Sequence, residues 1–210
     1  MPSLATLGTF ALAALVLAAM PGPGLLYVIS RTLTSGRRHG LASCVGAAIG
    51  GGVHVVAGMI GVSALIMASV TAFAILKFCG GIYLLVLAVQ AWRSASDRRC
   101  ELTPVTAGAS RSFREAVIVE ATNPKTAAFF LAFIPQFVDA AHGSVAIQFL
   151  ILGTISVTLN TAMDIAAVLA AGALRNVLAA RRGTITWLRR ISAGLFGGLG
   201  LSVLLVRRPA

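Results

Sequence analysis

The chain has 210 residues, of which 58% are hydrophobic and only 11% charged, whereas soluble domains carry about 25% charged residues. Six acidic side chains cannot keep a soluble surface of this size hydrated, so the composition excludes an ordinary soluble domain and points to an all-α membrane protein. The formal charge of +11 does not imply a nucleic-acid partner, because the arginines sit at the ends of apolar segments, where they meet lipid headgroups and set topology.

The first apolar segment runs roughly from Leu4 to Ile29. No charge precedes Arg31, so it lacks the basic start of a signal peptide and reads as an uncleaved helix. Pro21-Gly22-Pro23-Gly24 interrupts it, since proline removes an amide donor and clashes with the carbonyl one turn back. Backbone groups freed inside a membrane need protein or water partners. A half-helix starting after the break directs its amides and positive dipole end inward, where a substrate carboxylate can bind. The plainer alternative is a proline kink.

The second segment, roughly Leu41 to Ala68, carries Gly46, Gly50, His54 and Gly58 at a spacing of four. Small residues on one stripe let helix backbones approach closely, within the chain or in a homodimer. His54 on that stripe faces another helix, as a proton relay or as a packing residue. The third segment, roughly Ala72 to Trp92, holds Tyr83 and Gln90, which nothing distinguishes from packing residues. Cys44, Cys79 and Cys100 form no CxxC or zinc spacing.

The fourth segment, roughly Phe113 to Val138, is the most informative. Glu115 lies near its start and is expected to pair with Arg111 or Arg114; Glu120 is expected at the mouth of a path. Asn123-Pro124-Lys125 then breaks the helix. Asn can donate and accept, so it can serve either end of a zwitterion. Lys125 is a cation in an apolar run, facing a cavity or snorkelling to headgroups.

In the fifth segment, roughly Ser144 to Ala173, Asp164 is the acidic residue deep inside an apolar span, with Asn160 one turn earlier on the same face. An intramembrane carboxylate is a candidate proton carrier or counter-ion for a substrate amine; the alternative is an ion pair with Lys125 or Arg175. The sixth segment, roughly Ile191 to Val206, repeats the small-residue spacing at Gly194, Gly198 and Ser202, read as packing.

Six segments of about 20 residues suffice for six transmembrane helices. Arginines crowd the first, third and fifth loops, while the second and fourth contain no Lys or Arg. The odd loops are therefore expected on the cytoplasmic side, with both termini outside. The broken segments one and four, about a hundred residues apart, suggest a single 1-210 transporter domain built as a 3+3 inverted repeat of halves 1-93 and 113-207. No nucleophile elbow, zinc-protease motif or Walker loop is present. The chain therefore reads as neither an enzyme nor an ATP-driven pump, with no cofactor or resident metal, and as drawing on an ion gradient.

Several blocks together carry a resemblance. They are Pro21-Gly22-Pro23 with the basic run Gly36-Arg37-Arg38-His39-Gly40, and the glycine-rich second segment with His54. Then come Leu76-Lys77-Phe78-Cys79-Gly80-Gly81-Ile82-Tyr83 closing at Ala91-Trp92-Arg93, and Phe113-Arg114-Glu115-Ala116. Last are Asn123-Pro124-Lys125-Thr126-Ala127-Ala128-Phe129-Phe130 and Pro135-Gln136-Phe137. In order and spacing the chain resembles the LysE/RhtB amino-acid exporters over essentially its whole length. The resemblance implies six-helix export of amino acids or their derivatives, driven by the proton motive force. One departure stands out: that family usually has an acidic or amide residue where this chain has Gly24, which leaves three alternatives: compensation by Asp164 or Asn160, an atypical substrate, or lost efflux. The rival classes are a six-helix membrane redox protein, which wants paired intramembrane cysteines, and an ion or metal transporter. The latter wants several His or acidic ligands, for which only Asp164 and His54 qualify.

Overall fold

The computed structural model describes residues 2–68 and 108–173, with isolated positions between 71 and 93 and at 201. Every regular element among the described residues is helical: α1 (Leu4–Ala19), α2 (Pro23–Ser35), α3 (Arg37–Ala68), α4 (Ala109–Ala121), α5 (Pro124–Ala128) and α6 (Val145–Ala173), with short wider and tighter turns after α5. Three stretches are long and apolar enough to cross a membrane: Arg37–Val62, Ala109–Phe137 and Val145–Ala173. A fourth forms if α1 and α2, bent by 50° at their junction, count as one broken span. The expected third and sixth spans, with Tyr83, Gln90, Gly194, Gly198 and Ser202, lie outside the described residues.

The first break follows the sequence. Ser3 caps α1 through its hydroxyl, which accepts from the Thr6 amide. The helix ends at Met20, whose extended backbone leads into Pro21 and Gly22. Pro23 then occupies the first position of α2, where its missing N–H is no loss and its φ is already helical. The end of α2 differs from the expected basic loop. Arg31 lies within α2, Arg37 and Arg38 open α3, and the connection shrinks to Gly36. Gly36 has φ +93°, a left-handed conformation that favours glycine, and its amide donates to the Thr32 carbonyl at 3.0 Å. This terminates one helix so sharply that the next begins at once.

The second break is gentler. Thr122 and Asn123 interrupt the ladder, and Asn123 caps α5 by accepting from the Lys125 amide at 3.0 Å. Further on, Pro135 cannot donate to the carbonyl of the preceding turn. The helix widens over Phe129–Phe133 and tightens into a 3-10 turn over Ile134–Phe137. The loop to α6 is pinned by buried Gln148, which accepts from the Asp139 amide at 3.0 Å and donates to the Asp139 carbonyl at 2.7 Å.

α3 packs along α4 and α6, α2 against α3, and α1 against α6. An aromatic cluster fills the space beyond the breaks. Phe129 stacks on Phe133 at 5.0 Å, Phe10 meets Phe137 edge-on at 5.3 Å, and Phe130 contacts Phe149 at 6.1 Å, within the range where such rings attract. Outward-facing Leu12, Ile49, Val53, Ile118, Leu150 and Leu169 are exposed, as a lipid-facing belt requires.

The small-residue stripe on α3 is used within the chain. Gly46 lies against the Phe113 carbonyl and Ala116, Gly50 against Val117 and Glu120 of α4, and Gly58 against the Phe149 ring of α6. It therefore supplies no free face for the homodimer contact that the spacing allowed. A Cβ at Gly50 would stand 2.6 Å from the Val117 carbonyl oxygen and 2.8 Å from Glu120 Cβ, with backbone that cannot yield cheaply. Gly50→Ala should cost about 1–3 kcal/mol, the scale of overpacking, and lower the thermal midpoint of the detergent-solubilised protein. Gly52→Ala, which meets nothing within 4 Å, should leave the midpoint unchanged.

Candidate functional site

The two breaks face one another, and two charged side chains lie between them. Lys125 is 5% exposed. Its Nζ donates to the carbonyls of Leu17 and Met20, at 3.1 and 2.9 Å, at the end of α1. A helix ends in unsatisfied carbonyls and a negative dipole end, and Lys125 answers both. It does not snorkel to the headgroups, as one reading of the sequence allowed. Its stem crosses Gly22: a Cβ there would sit 2.9 Å from Lys125 Cδ.

Glu120 is the counterpart. It is 2% exposed, and its Oε2 accepts from Asn123 Nδ2 at 2.9 Å while Oε1 accepts from the Thr126 hydroxyl at 2.6 Å. The carboxylate lies where a side chain at Gly24 would begin: a Cβ there would meet Oε2 directly and Cδ at 3.3 Å. The position beside the start of α2, a positive dipole end suited to a substrate carboxylate, thus already holds a carboxylate of the protein. The two glycines of Pro21-Gly22-Pro23-Gly24 make room for a cation and an anion from the second broken span. Pro23 is exposed on the outer side and Pro21 is half-buried.

Both side chains open onto one small cavity of about 20 Å³, whose polar lining is Glu120, Lys125, Thr126, Ser156, Asn160 and Thr161, with Phe129, Phe130 and Leu17 among its apolar walls. That volume admits about one water molecule. Of the residues singled out in the sequence, Lys125 and Asn160 line the cavity, as does Glu120, which was expected at the mouth of a path. Pro21, Gly22, Pro23, Gly24, Asn123 and Pro124 build its frame without lining it. Asn123 spends its side chain internally, capping α5 and holding Glu120.

Asp164 and His54 stand outside the lining. Asp164 is 2% exposed, one helical turn beyond Asn160, beside Cys44 and within electrostatic reach of Glu120 and Lys125. Among the described residues it forms no ion pair. Lys125 is committed to the α1 carbonyls, and Arg175 lies outside the described residues. His54 Nε2 is 2.9 Å from the Glu120 backbone carbonyl. A carbonyl only accepts, so that nitrogen carries the proton, and the ring ties α3 to the end of α4 and stands 5.8 Å from the Phe130 ring.

Glu120 is the residue that sequence reasoning undervalued. The available signal was its place one turn before Asn123, which sets both on one face of the helix. Nearer the arginine-rich end, Glu115 takes Arg111 at 2.7 Å, as expected, and also an unforeseen ion pair with Arg31 of α2. Tyr27 joins it, donating to Glu115 at 2.8 Å and accepting from Arg31 Nε at 2.8 Å. The cluster clamps α2 to α4. Among the described residues no three His, Cys, Asp or Glu side chains are grouped to hold a metal ion.

The chain matches the family described as LysE type translocator over residues 15–207. It belongs to that family. Among curated relatives, this LysE-family chain is 36% identical over 151 residues to an uncharacterized membrane protein of Vibrio cholerae, covering 72% of this chain and 73% of that one. It is 33% identical, with the same coverage, to a homoserine/homoserine lactone efflux protein of Salmonella typhimurium. A leucine efflux protein of Salmonella choleraesuis is 30% identical over 149 residues, 70% of this chain and 69% of that one. No solved structure matches significantly. A LysE-type translocator with several apolar spans is a multi-pass membrane protein.

Proposed function

We propose that the chain is an inner-membrane secondary exporter of amino acids or amino-acid derivatives, coupled to the proton motive force. The observation that carries this reading is the meeting of two broken spans over a buried cation and a buried anion at one cavity. Broken helices at the midplane are where secondary transporters bind their substrates. Relatives named for homoserine and leucine efflux support the substrate class.

Lys125 uses its Nζ on the Leu17 and Met20 carbonyls. An ammonium has three donors, so one remains for a substrate carboxylate. Asn160, whose side chain bonds no described residue, offers an amide from α6. Asp164 carries the coupling proton, and His54 steadies the turn that presents Glu120. A cavity with room for one water must widen for an amino acid, so export requires the broken spans to part and close in turn. In the membrane the arginine-rich ends face the cytoplasm and both termini lie outside. The halves 1-93 and 113-207 act as the inverted repeats of this movement.

Cells loaded with dipeptides and expressing the chain should release one or more amino acids, homoserine and leucine first among those assayed, faster than cells carrying an empty vector. A protonophore should abolish the difference. Equal release of every amino acid by the two strains would remove the proposal.

A further inference from the structure

We infer that Glu120, lodged against the side-chain-free position Gly24, recognises a free ammonium group on the exported molecule. The substrates are then amino acids and derivatives that keep the amino group, and N-acylated forms are rejected. This rests on the exporter reading and adds the group that sets its specificity.

The carboxylate is 2% exposed yet lines the cavity. A carboxylate offers about four acceptor sites. Its two bonds to described residues come from neutral donors, the Asn123 amide and the Thr126 hydroxyl. Among the described residues nothing takes its other two acceptor sites. Among the described residues no Lys, Arg or His pairs with it, because Lys125, the nearby cation, is turned to the α1 carbonyls. Lys125 acts on Glu120 only through space, and a buried carboxylate to which no described cation is bonded is costly, so the cluster favours the arrival of a cation. An ammonium supplies that charge together with donors for the open sites.

The placement of Glu120 is built rather than incidental. Asn123 and Thr126 hold the two oxygens. Gly24 on α2 leaves the carboxylate its space, and Gly50 on α3 leaves space for its Cβ. Any side chain at 24 would displace the carboxylate. N-acylation would remove the positive charge and add bulk in a cavity with room for one water. The carboxylate beside the start of α2 thus comes from α4, across the interface between the two breaks.

The test uses the full chain in proteoliposomes, with L-homoserine or L-leucine, whichever wild type carries faster, and the N-acetyl form of the same amino acid. Wild type should transport the free amino acid at least about tenfold faster than its N-acetyl form. Glu120→Gln should lower transport of the free amino acid roughly 30-fold or more, the scale of removing one partner of a buried charge pair, and leave the N-acetyl rate unchanged. Gly24→Asp combined with Glu120→Ala returns a carboxylate to the same space from the other wall and should recover most of the preference. Equal losses for both probes in Glu120→Gln would mean that Glu120 is only structural and would overturn the inference. Should that variant not reach the membrane, the wild-type comparison decides: N-acetyl transport as fast as that of the free amino acid overturns it as well. Failure of wild type to transport any amino acid would instead count against the exporter reading.

Discussion

Lys125→Met should abolish export and destabilise the protein by about 1–3 kcal/mol. The substitution keeps much of the stem that lies across Gly22 but removes the group donating to Leu17 and Met20. The Leu17 carbonyl keeps the Met20 amide at 3.0 Å, whereas the Met20 carbonyl loses its donor; a buried carbonyl left without one costs about 1–3 kcal/mol, and in a membrane no bulk water replaces it. The two breaks would lose their direct tie, and Glu120 and Asp164 would lose the cation within their electrostatic reach. Lys125→Arg should fare little better, since a planar guanidinium cannot deliver the point charge of an ammonium to two carbonyls past Gly22. Thermal unfolding in detergent and efflux from loaded cells check the two parts separately. Wild-type stability and export in Lys125→Met would show that the contact between the breaks is dispensable.

Asp164→Asn should uncouple transport from protons while leaving the fold intact. The residue is 2% exposed in α6, and no described residue forms an ion pair with it. A buried intramembrane carboxylate without an ion-pair partner among the described residues is a candidate proton carrier. The variant keeps the shape and loses the titration. In proteoliposomes an imposed pH gradient should drive uptake or release on the order of tenfold less than in wild type, the scale of a coupling free energy between two ligands. Exchange of substrate across the bilayer without a gradient should persist, because Asp164 lies outside the cavity wall. Gradient-driven transport at the wild-type rate would make Asp164 a structural group and move coupling elsewhere, with His54 the next candidate. Loss of both modes would assign Asp164 to the binding site itself.

Much of the architecture was legible because membranes impose few solutions. Runs of apolar residues of spanning length, arginines at their ends and prolines inside two of them lead directly to spans, basic ends and breaks. The close packing of α3 was legible in the spacing of Gly46, Gly50 and Gly58. The junction of α2 and α3 was not. A cluster of arginines reads as a loop, whereas Gly36 with its positive φ joins two helices without one and leaves Arg31 free to reach Glu115. Glu120 was also obscured. Five residues after Glu115 and close to Arg114, it reads in one dimension as a residue at the mouth of a path, and the packing of α4 against Gly24 and Gly50 buries it instead.

The sequence by itself determined that the chain lives in a membrane, where it bends and which residues carry charge at those bends, since hydropathy and proline chemistry act locally. Which charge meets which partner was decided by tertiary structure alone. Lys125 could have paired with Asp164 or reached a headgroup; instead it completes the carbonyl end of a helix more than a hundred positions away in the chain. Glycines 22 and 24 could have served flexibility, yet they serve as space, one for Lys125 and one for Glu120. The reason is the low dielectric of the interior. A buried charge or freed backbone group must be satisfied by whatever polar group the fold brings within hydrogen-bond reach, and that distance is set by helix packing, which no local pattern encodes.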